Sequence, residues 1–496
     1  MTRLETRFFL AAAALVALSL VVGACFSLRS SNGGGQTEFS GNRVVRPEDV
    51  ALPAGYRIEA VASGLTFPTG VAFDDAGRAY VVESGYSYGE VFLTPRLIRI
   101  EEDGRATPIA TGSNNGPWNG VAYARGRFYV AEGGERDGGR ILRIDADGRI
   151  TPVVEGLPSL GDHHTDGPVI GADGYVYFGQ GTATNSGVVG EDNARLGWLS
   201  RHPDFHDIPC RDVTLTGANY RTRDAIHPGS SRFVETGAFQ PYGTPARAGQ
   251  TVAGAVPCSG AIFRVPLDGG PLELVAWGLR NPFGLALTPD GQLYATENQF
   301  DARGSRPVWG AGDLLWAIRP GAWYGWPDYH AGRRVDEGKR YDPPGRGPRP
   351  RALLASAPGT PPQPAAIFGV HSSSCGFDFS RSSRFGFVGE AFVAEFGDMA
   401  PTVGKTLSPV GFRVVRVNLG DGVVRDFAAN HGTIPGPASK VGGGGLERPV
   451  AARFTPDGAA LYVVDFGVLT VGKQKTEPRR ETGVLWRISR VPEARP

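Results

Sequence analysis

Val450-Ala-Ala-Arg-Phe-Thr-Pro-Asp-Gly-Ala-Ala-Leu-Tyr-Val463 is the stretch that decides the fold. Apolar and small residues alternate up to a Pro-Asp-Gly turn, and the chain resumes as a strand rich in Leu, Tyr and Val. Asp-Gly supplies the positive φ angles of a tight hairpin turn, so the stretch reads as two antiparallel strands. The pattern also occurs as Gly70-Val-Ala-Phe-Asp-Asp-Ala-Gly-Arg-Ala-Tyr-Val-Val82, Gly120-Val-Ala-Tyr-Ala-Arg-Gly-Arg-Phe-Tyr-Val-Ala131 and Pro168-Val-Ile-Gly-Ala-Asp-Gly-Tyr-Val-Tyr-Phe178. A further copy is Gly284-Leu-Ala-Leu-Thr-Pro-Asp-Gly-Gln-Leu-Tyr-Ala295, and a looser one runs from Gly376 to Ala394.

Most copies are followed by a third strand, as in Leu97-Ile-Arg-Ile100, Ile141-Leu-Arg-Ile144, Ala261-Ile-Phe-Arg-Val265, Val414-Val-Arg-Val417 and Val484-Leu-Trp-Arg-Ile488. Several add a fourth, such as Thr151-Pro-Val-Val154 and Leu272-Glu-Leu-Val275. Four antiparallel strands per unit, repeated about every 40–50 residues, are the signature of propeller blades. Six inner hairpins therefore predict an all-β, six-bladed β-propeller over residues 51–492. Tyr56-Arg-Ile-Glu-Ala-Val61 has no hairpin before it and is expected to be the outer strand that completes the last blade. Two long insertions interrupt the repeat. One, about 186–258, lies between the third hairpin and its outer strand; the other, about 320–365, is placed in the fifth unit. A disulfide at the base of the first favours a functional loop there.

Composition agrees with many short strands: 72 Gly and 39 Pro are spread along 496 residues, against the pattern of a helix bundle. The 51 basic and 50 acidic side chains nearly cancel, so charge favours neither nucleic acid nor an acidic surface as partner. At the N-terminus, Arg3 and Arg7 precede an apolar run from Phe8 to Ala24 that ends in Val22-Gly-Ala-Cys25. Residues 1–25 read as a secretory signal with a lipobox, Cys25 being acylated, or as an uncleaved anchor helix. Either reading predicts an exported chain tethered to the outer face of a bacterial membrane, with residues 26–50 as a flexible spacer. Export permits disulfides. Cys210 and Cys258 flank the first insertion and are expected to pair, leaving Cys375 as a buried free thiol.

Several strings resemble the soluble quinoprotein sugar dehydrogenases, the glucose/sorbosone dehydrogenase family, over essentially the whole chain after residue 50, and nearer its sorbosone-dehydrogenase-like members. They are Leu157-Pro-Ser-Leu-Gly-Asp-His-His-Thr-Asp-Gly-Pro-Val-Ile-Gly171, Trp277-Gly-Leu-Arg-Asn-Pro-Phe-Gly-Leu285, Gly312-Asp-Leu-Leu-Trp316, Pro320-Gly-Ala-Trp-Tyr-Gly-Trp-Pro327, Gly389-Glu-Ala-Phe-Val-Ala-Glu395 and Leu446-Glu-Arg-Pro-Val450. The resemblance implies a six-bladed propeller that binds pyrroloquinoline quinone (PQQ) on one face with Ca²⁺. It also implies oxidation of a sugar or polyol by base-assisted hydride transfer to the quinone.

By position, His163 matches the family's base, with His164 beside it, and a histidine suits that task because its pKa lies near working pH. Arg280 matches the arginine at the reducing carbonyl, where a fixed cation stabilises developing charge. Asn281 and Arg448 match cofactor contacts, while Glu297, Asn298 and Asp313 fall at the Ca²⁺-associated turn. Three positions depart from the family pattern. Thr182 stands where the base's carboxylate partner is expected, with Asp166 as an alternative partner; Leu446 and Gly397-Asp398 stand where basic residues would meet the quinone carboxylates.

The residues also admit blander roles: a capping imidazole at His163, a rim salt bridge at Arg280 and solvated loop acids at the metal positions. Trp309, Trp316, Trp323, Tyr324 and Trp326 suit either sugar stacking or core packing. Beside the quinoprotein enzyme stand two other readings. One is a non-catalytic extracytoplasmic propeller that binds a carbohydrate or a protein partner; the other is a lactone hydrolase, which needs a tight metal–carboxylate cluster.

Overall fold

The computed structural model describes residues 39–491 except 88–90, 228, 345–347, 401, 405, 407 and 473–475. Cys25 and the signal or anchor segment lie outside the described residues. Six antiparallel sheets stand around an axis as the blades of a β-propeller. Their inner strands are Pro68–Phe73, Trp118–Ala124, Thr165–Ile170, Pro282–Leu287, Ser374–Phe379 and Pro449–Phe454, and each packs on the next, the sixth on the first. The ring closes as expected: Tyr56–Leu65 pairs with Gly483–Arg490 as the outer strand of blade 6. Three short α-helices, Glu191–Arg195, Trp198–Arg201 and Ala438–Val441, one 3₁₀ turn and five small two-stranded sheets make up the rest of the described regular structure.

Inner strands need small residues where they converge on the axis. A Cβ at Gly120 would lie 1.8 Å from the Gly167 carbonyl oxygen, and one at Gly284 would lie 2.4 Å from that of Cys375. Each junction between blades has its own apolar core. Trp118, Phe128 and Leu142 pack with Tyr80 and Leu97 between blades 1 and 2, while Trp486, Phe392 and Phe454 fill the junction of blades 5 and 6. Burying a large aromatic side chain contributes about 1.5–3 kcal/mol, so six such seams hold the ring without any central plug.

Both insertions have a definite place. The first separates the second strand of blade 3, Tyr175–Gln180, from the third, Ala261–Pro266. The second belongs to blade 4 and not to a fifth unit: it leaves after Gly312–Ala317 and returns as the outer strand Ala366–Val370. The sequence hides this because the returning strand has no Asp-Gly partner to mark it. The two insertions share a core in which Val188, Leu215 and Phe239 meet Trp323, Trp326 and Leu353. The buried guanidinium of Arg306 crosses between them, donating to Asp328 Oδ1 at 2.8 Å and to the Ser186 carbonyl at 3.1 Å. Cys210 and Cys258 form the expected disulfide, and Cys375 is buried and free.

The described end of the spacer is attached to the propeller. Arg43 is buried against Asp465 at 2.6 Å and donates to the carbonyls of Thr482 and Gly445, and Val50–Ala51 adds a fifth strand to blade 5. An arginine offered a buried carboxylate and two carbonyls docks there, so the flexible-spacer expectation fails from Arg43 onward.

Candidate active site

On one face of the ring, each crossover from an outer strand to the next inner strand places a short loop at the axis. The loop before Thr165–Ile170 carries His163, the loop before Pro282–Leu287 carries Arg280 and Asn281, and the loop before Ser374–Phe379 carries His371. With Asn298 and Asp301, which follow the second strand of blade 4, these residues line a solvent-open cleft. Arg195 and Leu196 of the first insertion form part of its wall. The second insertion stays outside it and braces the first. A deeper cavity on the axis shares His163 and Asn281 with the cleft and is lined further down by Asn119, His164, Asp166 and Cys375.

His163 is buried, and its Nδ1 lies 2.9 Å from the Thr182 carbonyl oxygen and 3.1 Å from the Thr182 hydroxyl. That hydroxyl donates to the Thr184 carbonyl at 2.7 Å, so toward the ring it acts as an acceptor. Two acceptors fix the proton on Nδ1 and leave Nε2 as the basic nitrogen. Burial, then the cations of Arg280 and Arg303, push the imidazole well below its ordinary pKa and keep it neutral. Thr182 thus orients the ring without a carboxylate. The alternative partner Asp166 faces the deeper cavity, where burial raises its carboxyl well above the usual range.

Arg280 is 2 % exposed and tightly committed. Its Nε donates to the Asn185 carbonyl at 3.0 Å and Nη1 to that of Asn298 at 3.1 Å, while Nη2 donates to Asn185 Oδ1 at 3.0 Å and to Asp301 Oδ2 at 2.9 Å. Those bonds use four of the five guanidinium N–H groups, leaving one on Nη1. Arg303 joins the network, bonding Asp301 Oδ2 at 3.0 Å and Asp162 Oδ2 at 2.7 Å, with Asp192 as a third partner. The salt-bridge reading of Arg280 therefore holds, and the bridge stands in the cleft wall. Asn281 is held loosely: its Nδ2 is 3.4 Å from Asn298 Oδ1, and its buried Oδ1 has no hydrogen-bond partner.

The expected metal turn does not assemble. Glu297 gives one oxygen to the Arg280 amide and the other to Trp316 Nε1. Asp313 accepts from the Gln299 amide at 2.9 Å, the Ser374 amide at 2.9 Å and the Ser372 hydroxyl at 3.1 Å. Asn298 lines the cleft, but its Nδ2 donates to the Ser374 carbonyl at 2.7 Å and its Oδ1 faces Asn281. Carboxylates spent on N–H donors are caps for turns, not open ligands. Among the described residues, no group of three or more His, Cys, Asp or Glu is arranged to hold a metal ion.

Arg448 is also misplaced for a cofactor contact. It is fully buried outside the cleft lining, its Nη1 donating to the carbonyls of Phe396, Gly397 and Asp398 and its guanidinium stacked on Phe396 and Phe412. It holds the loop whose Gly397 reaches the cleft. Asp398 does not face a ligand there either, since its Oδ2 accepts from the Val410 amide at 3.2 Å. Leu446 belongs to the apolar seam of blades 5 and 6. Trp316, Trp323, Tyr324 and Trp326 are buried in packing and offer no stacking platform.

The chain matches no protein-family model and no characterised sequence. Solved structures share its fold. The iodide structure of carbohydrate-active enzyme family AA12 from Trichoderma reesei superposes with a TM-score of 0.53 at 15 % identity, over 91 % of this chain and 100 % of that one. The holo form of the PQQ domain of pyranose dehydrogenase from Coprinopsis cinerea gives 0.52 at 15 % identity, over 89 % and 97 %. The apo form of soluble aldose sugar dehydrogenase from Escherichia coli gives 0.50 at 16 % identity, over 88 % and 100 %. The six-bladed propeller is common to all of them.

Sequence reasoning missed His371, Asp301, Arg303 and Asn185. The repeat held one usable signal for His371. It occupies the same crossover position in its blade as His163 does, three residues before an inner strand in one case and two in the other. The remaining three come together only because the start of the first insertion folds over the loop after the second strand of blade 4.

Proposed function

We propose that the chain oxidises a hydroxyl-bearing carbon of a sugar or polyol in the axial cleft, with a quinone of the PQQ class as acceptor and His163 as the base. The observation that supports it most is His163 itself: a neutral imidazole, its proton locked on Nδ1, on the same cleft wall as Arg280 and Asn281. A base of this kind accepts a hydroxyl proton at Nε2, and proton removal in the transition state contributes about 10²–10⁴-fold.

The residues present fit a quinone at Arg280, whose remaining Nη1 proton and fixed charge suit a carbonyl oxygen, and at Asn281, whose unsatisfied Oδ1 can accept from a ring N–H and whose loosely held Nδ2 can donate to an oxygen. Arg195, exposed at the cleft wall, offers a cation to a carboxylate. PQQ, when bound, supplies a two-electron acceptor for hydride. Arg448 takes no part. The Ca²⁺ expectation does not fit the donor set, because Glu297 and Asp313 are committed to protein N–H groups, and no step is assigned to it.

Export and tethering through Cys25 or an anchor helix belong to the same reading, on the strength of residues 1–25. The quinone part is tested by titrating the purified protein with PQQ, with and without Ca²⁺, while following quinone absorbance during additions of aldoses, sorbosone and polyols. Binding at micromolar PQQ without a requirement for Ca²⁺ is expected. No binding at that concentration overturns the enzyme reading, and sugar binding without PQQ binding would favour the carbohydrate-binding propeller instead.

A further inference from the structure

The cleft holds a second imidazole. His371 lies in the crossover from Ala366–Val370 to Ser374–Phe379, is buried, and lines the cleft together with His163 and Arg280. Its backbone has φ of 59° and that of Ser373 has φ of 53°, in the left-handed region that residues other than glycine rarely adopt. Such conformations persist where the surroundings over-determine them, and they gather at functional sites.

The two rings differ in what holds them. Nδ1 of His163 meets neutral oxygens of Thr182, whereas Nδ1 of His371 lies 3.3 Å from Asp301 Oδ1. Asp301 is a fixed anion. Its other oxygen receives Arg280 and Arg303, and its main-chain amide donates to Asn185 Oδ1 at 2.8 Å. Burial alone would raise its carboxyl, but the two guanidiniums and the His371 ring hold it well below the usual carboxylate range. The other charged groups around the His371 ring are Arg280, Arg303 and Asp313, which line the same cleft. A carboxylate therefore faces Nδ1 of His371, whereas only neutral oxygens face Nδ1 of His163.

Oxidation of an alcohol by a quinone needs both an acceptor and a donor of protons. The C–H bond breaks and its electron pair leaves as hydride to the acceptor. The O–H proton is removed, and a quinone acceptor would take up one further proton to complete a two-electron reduction. We infer that His371 is the proton donor of this cleft. His163 Nε2 takes the hydroxyl proton, and His371 Nε2 gives a proton to the oxygen of the acceptor. The substrate leaves as a carbonyl compound; one ring has gained a proton and the other has lost one, and exchange with solvent restores both. This inference rests on the quinone reading above.

The test uses His371→Asn. Asparagine keeps an N–H group where Nδ1 faces Asp301 and tolerates positive φ, but it has no group at the Nε2 position. In the PQQ-loaded protein, kcat should fall roughly 10²–10³-fold, while KM and PQQ affinity stay within about threefold. Free imidazole should restore part of the turnover of His371→Gly. In the unloaded protein, proton NMR should show a downfield His371 Nδ1 signal of the kind given by a carboxylate-bonded imidazole, absent from His371→Asn. Turnover of His371→Asn within about threefold of wild type overturns the inference and leaves the quinone reading standing. So does absence of the downfield signal in the wild-type protein. A wild-type protein that binds no PQQ overturns the quinone reading, and this inference with it.

Discussion

Nδ1 of His163 is pinned by the main-chain oxygen of Thr182 at 2.9 Å, so the ring is oriented by backbone and not by a carboxylate. The Thr182 hydroxyl at 3.1 Å is a second, weaker acceptor. Thr182→Val removes only that hydroxyl and should cost about 1 kcal/mol, or less than tenfold in turnover. His163→Gln should cost about 10²–10⁴-fold while leaving PQQ affinity intact. Because the ring is held well below its ordinary pKa, it is already neutral at pH 6.5. kcat/KM should therefore not rise between pH 6.5 and 8 through this group and should fall only in distinctly acid solution. Initial rates across that range decide the matter; an equal loss in both variants would mean that the hydroxyl does the orienting.

Gly181 tests the packing behind the His163 ring. A Cβ there would lie 2.2 Å from His163 Cβ and 3.2 Å from Asn281 Oδ1, so an alanine has to move the imidazole. Gly181→Ala should lower kcat by about 10²-fold or more, since displacement by about 1 Å costs that much when geometry carries the catalysis. A variant that remains folded by circular dichroism and keeps wild-type turnover would show that His163 tolerates movement and is not the base.

These two positions also show where the sequence was readable. Hairpins such as Gly284–Ala295 announce themselves because a half-buried strand alternates with period two and its turn demands Asp-Gly. The outer strand of blade 4 was not legible, since Ala366–Val370 returns only after the second insertion and carries no turn signal. At the site, His163, Arg280 and Asn281 lie in contiguous strings, and all three line the cleft. Glu297 read as a ligand because a loop carboxylate looks the same whether its oxygens are open or taken. Nothing in the string tells that Trp316 and the Arg280 amide occupy them. Asp301 and His371 meet only through the stacking of blades 4 and 5, a relation that no linear spacing encodes.

The disulfide closes a loop of 48 residues within the first insertion. Cross-linking a loop of that length stabilises by about 4 kcal/mol in the chain-entropy account, because the unfolded chain loses freedom. Cys210→Ser with Cys258→Ser should therefore unfold at a lower denaturant concentration with a loss of about 2–4 kcal/mol. Arg195 and Leu196 lie before Cys210, but Tyr242 inside the closed loop packs against the same apolar cluster as Leu196, so quinone affinity should fall as well. Equilibrium denaturation and PQQ titration of the double variant measure the two effects separately.

Glu447 carries a pH dependence of known sign. Its carboxylate accepts from the Ser439 amide and hydroxyl, each at 2.8 Å, and burial pushes its pKa up to about 7. A carboxyl raised in the folded state binds more protons there than in the unfolded chain, so its contribution to stability is lost as pH climbs through about 7. Glu447→Gln is neutral at every pH. The variant should gain on the wild type between pH 5 and pH 8, by about 3 kcal/mol at most. Urea denaturation at the two pH values checks this, and a stability of the variant relative to wild type that is lower at pH 8 than at pH 5 contradicts it.

Arg306 is the charge that joins the two insertions, donating from Nη2 to Asp328 Oδ1 at 2.8 Å and from Nη1 to the carbonyls of Ser186 and Pro327. Arg306→Met fills much of the same volume but leaves the Asp328 carboxylate buried without its cation. Breaking a buried pair on one side costs about 3–5 kcal/mol, whereas replacing both members with apolar groups can be nearly neutral. Asp328 also receives the Leu353 and Leu354 amides, so Arg306→Met/Asp328→Leu would orphan two N–H groups and should recover only part of that loss. The single variant should also loosen the first insertion against the second, and with it the cleft wall at Arg195. Hydrogen exchange of residues 191–201 in Arg306→Met, compared with wild type, reads that coupling directly. Protection unchanged there, despite a lower unfolding midpoint, would show that the second insertion stabilises the fold without bracing the cleft.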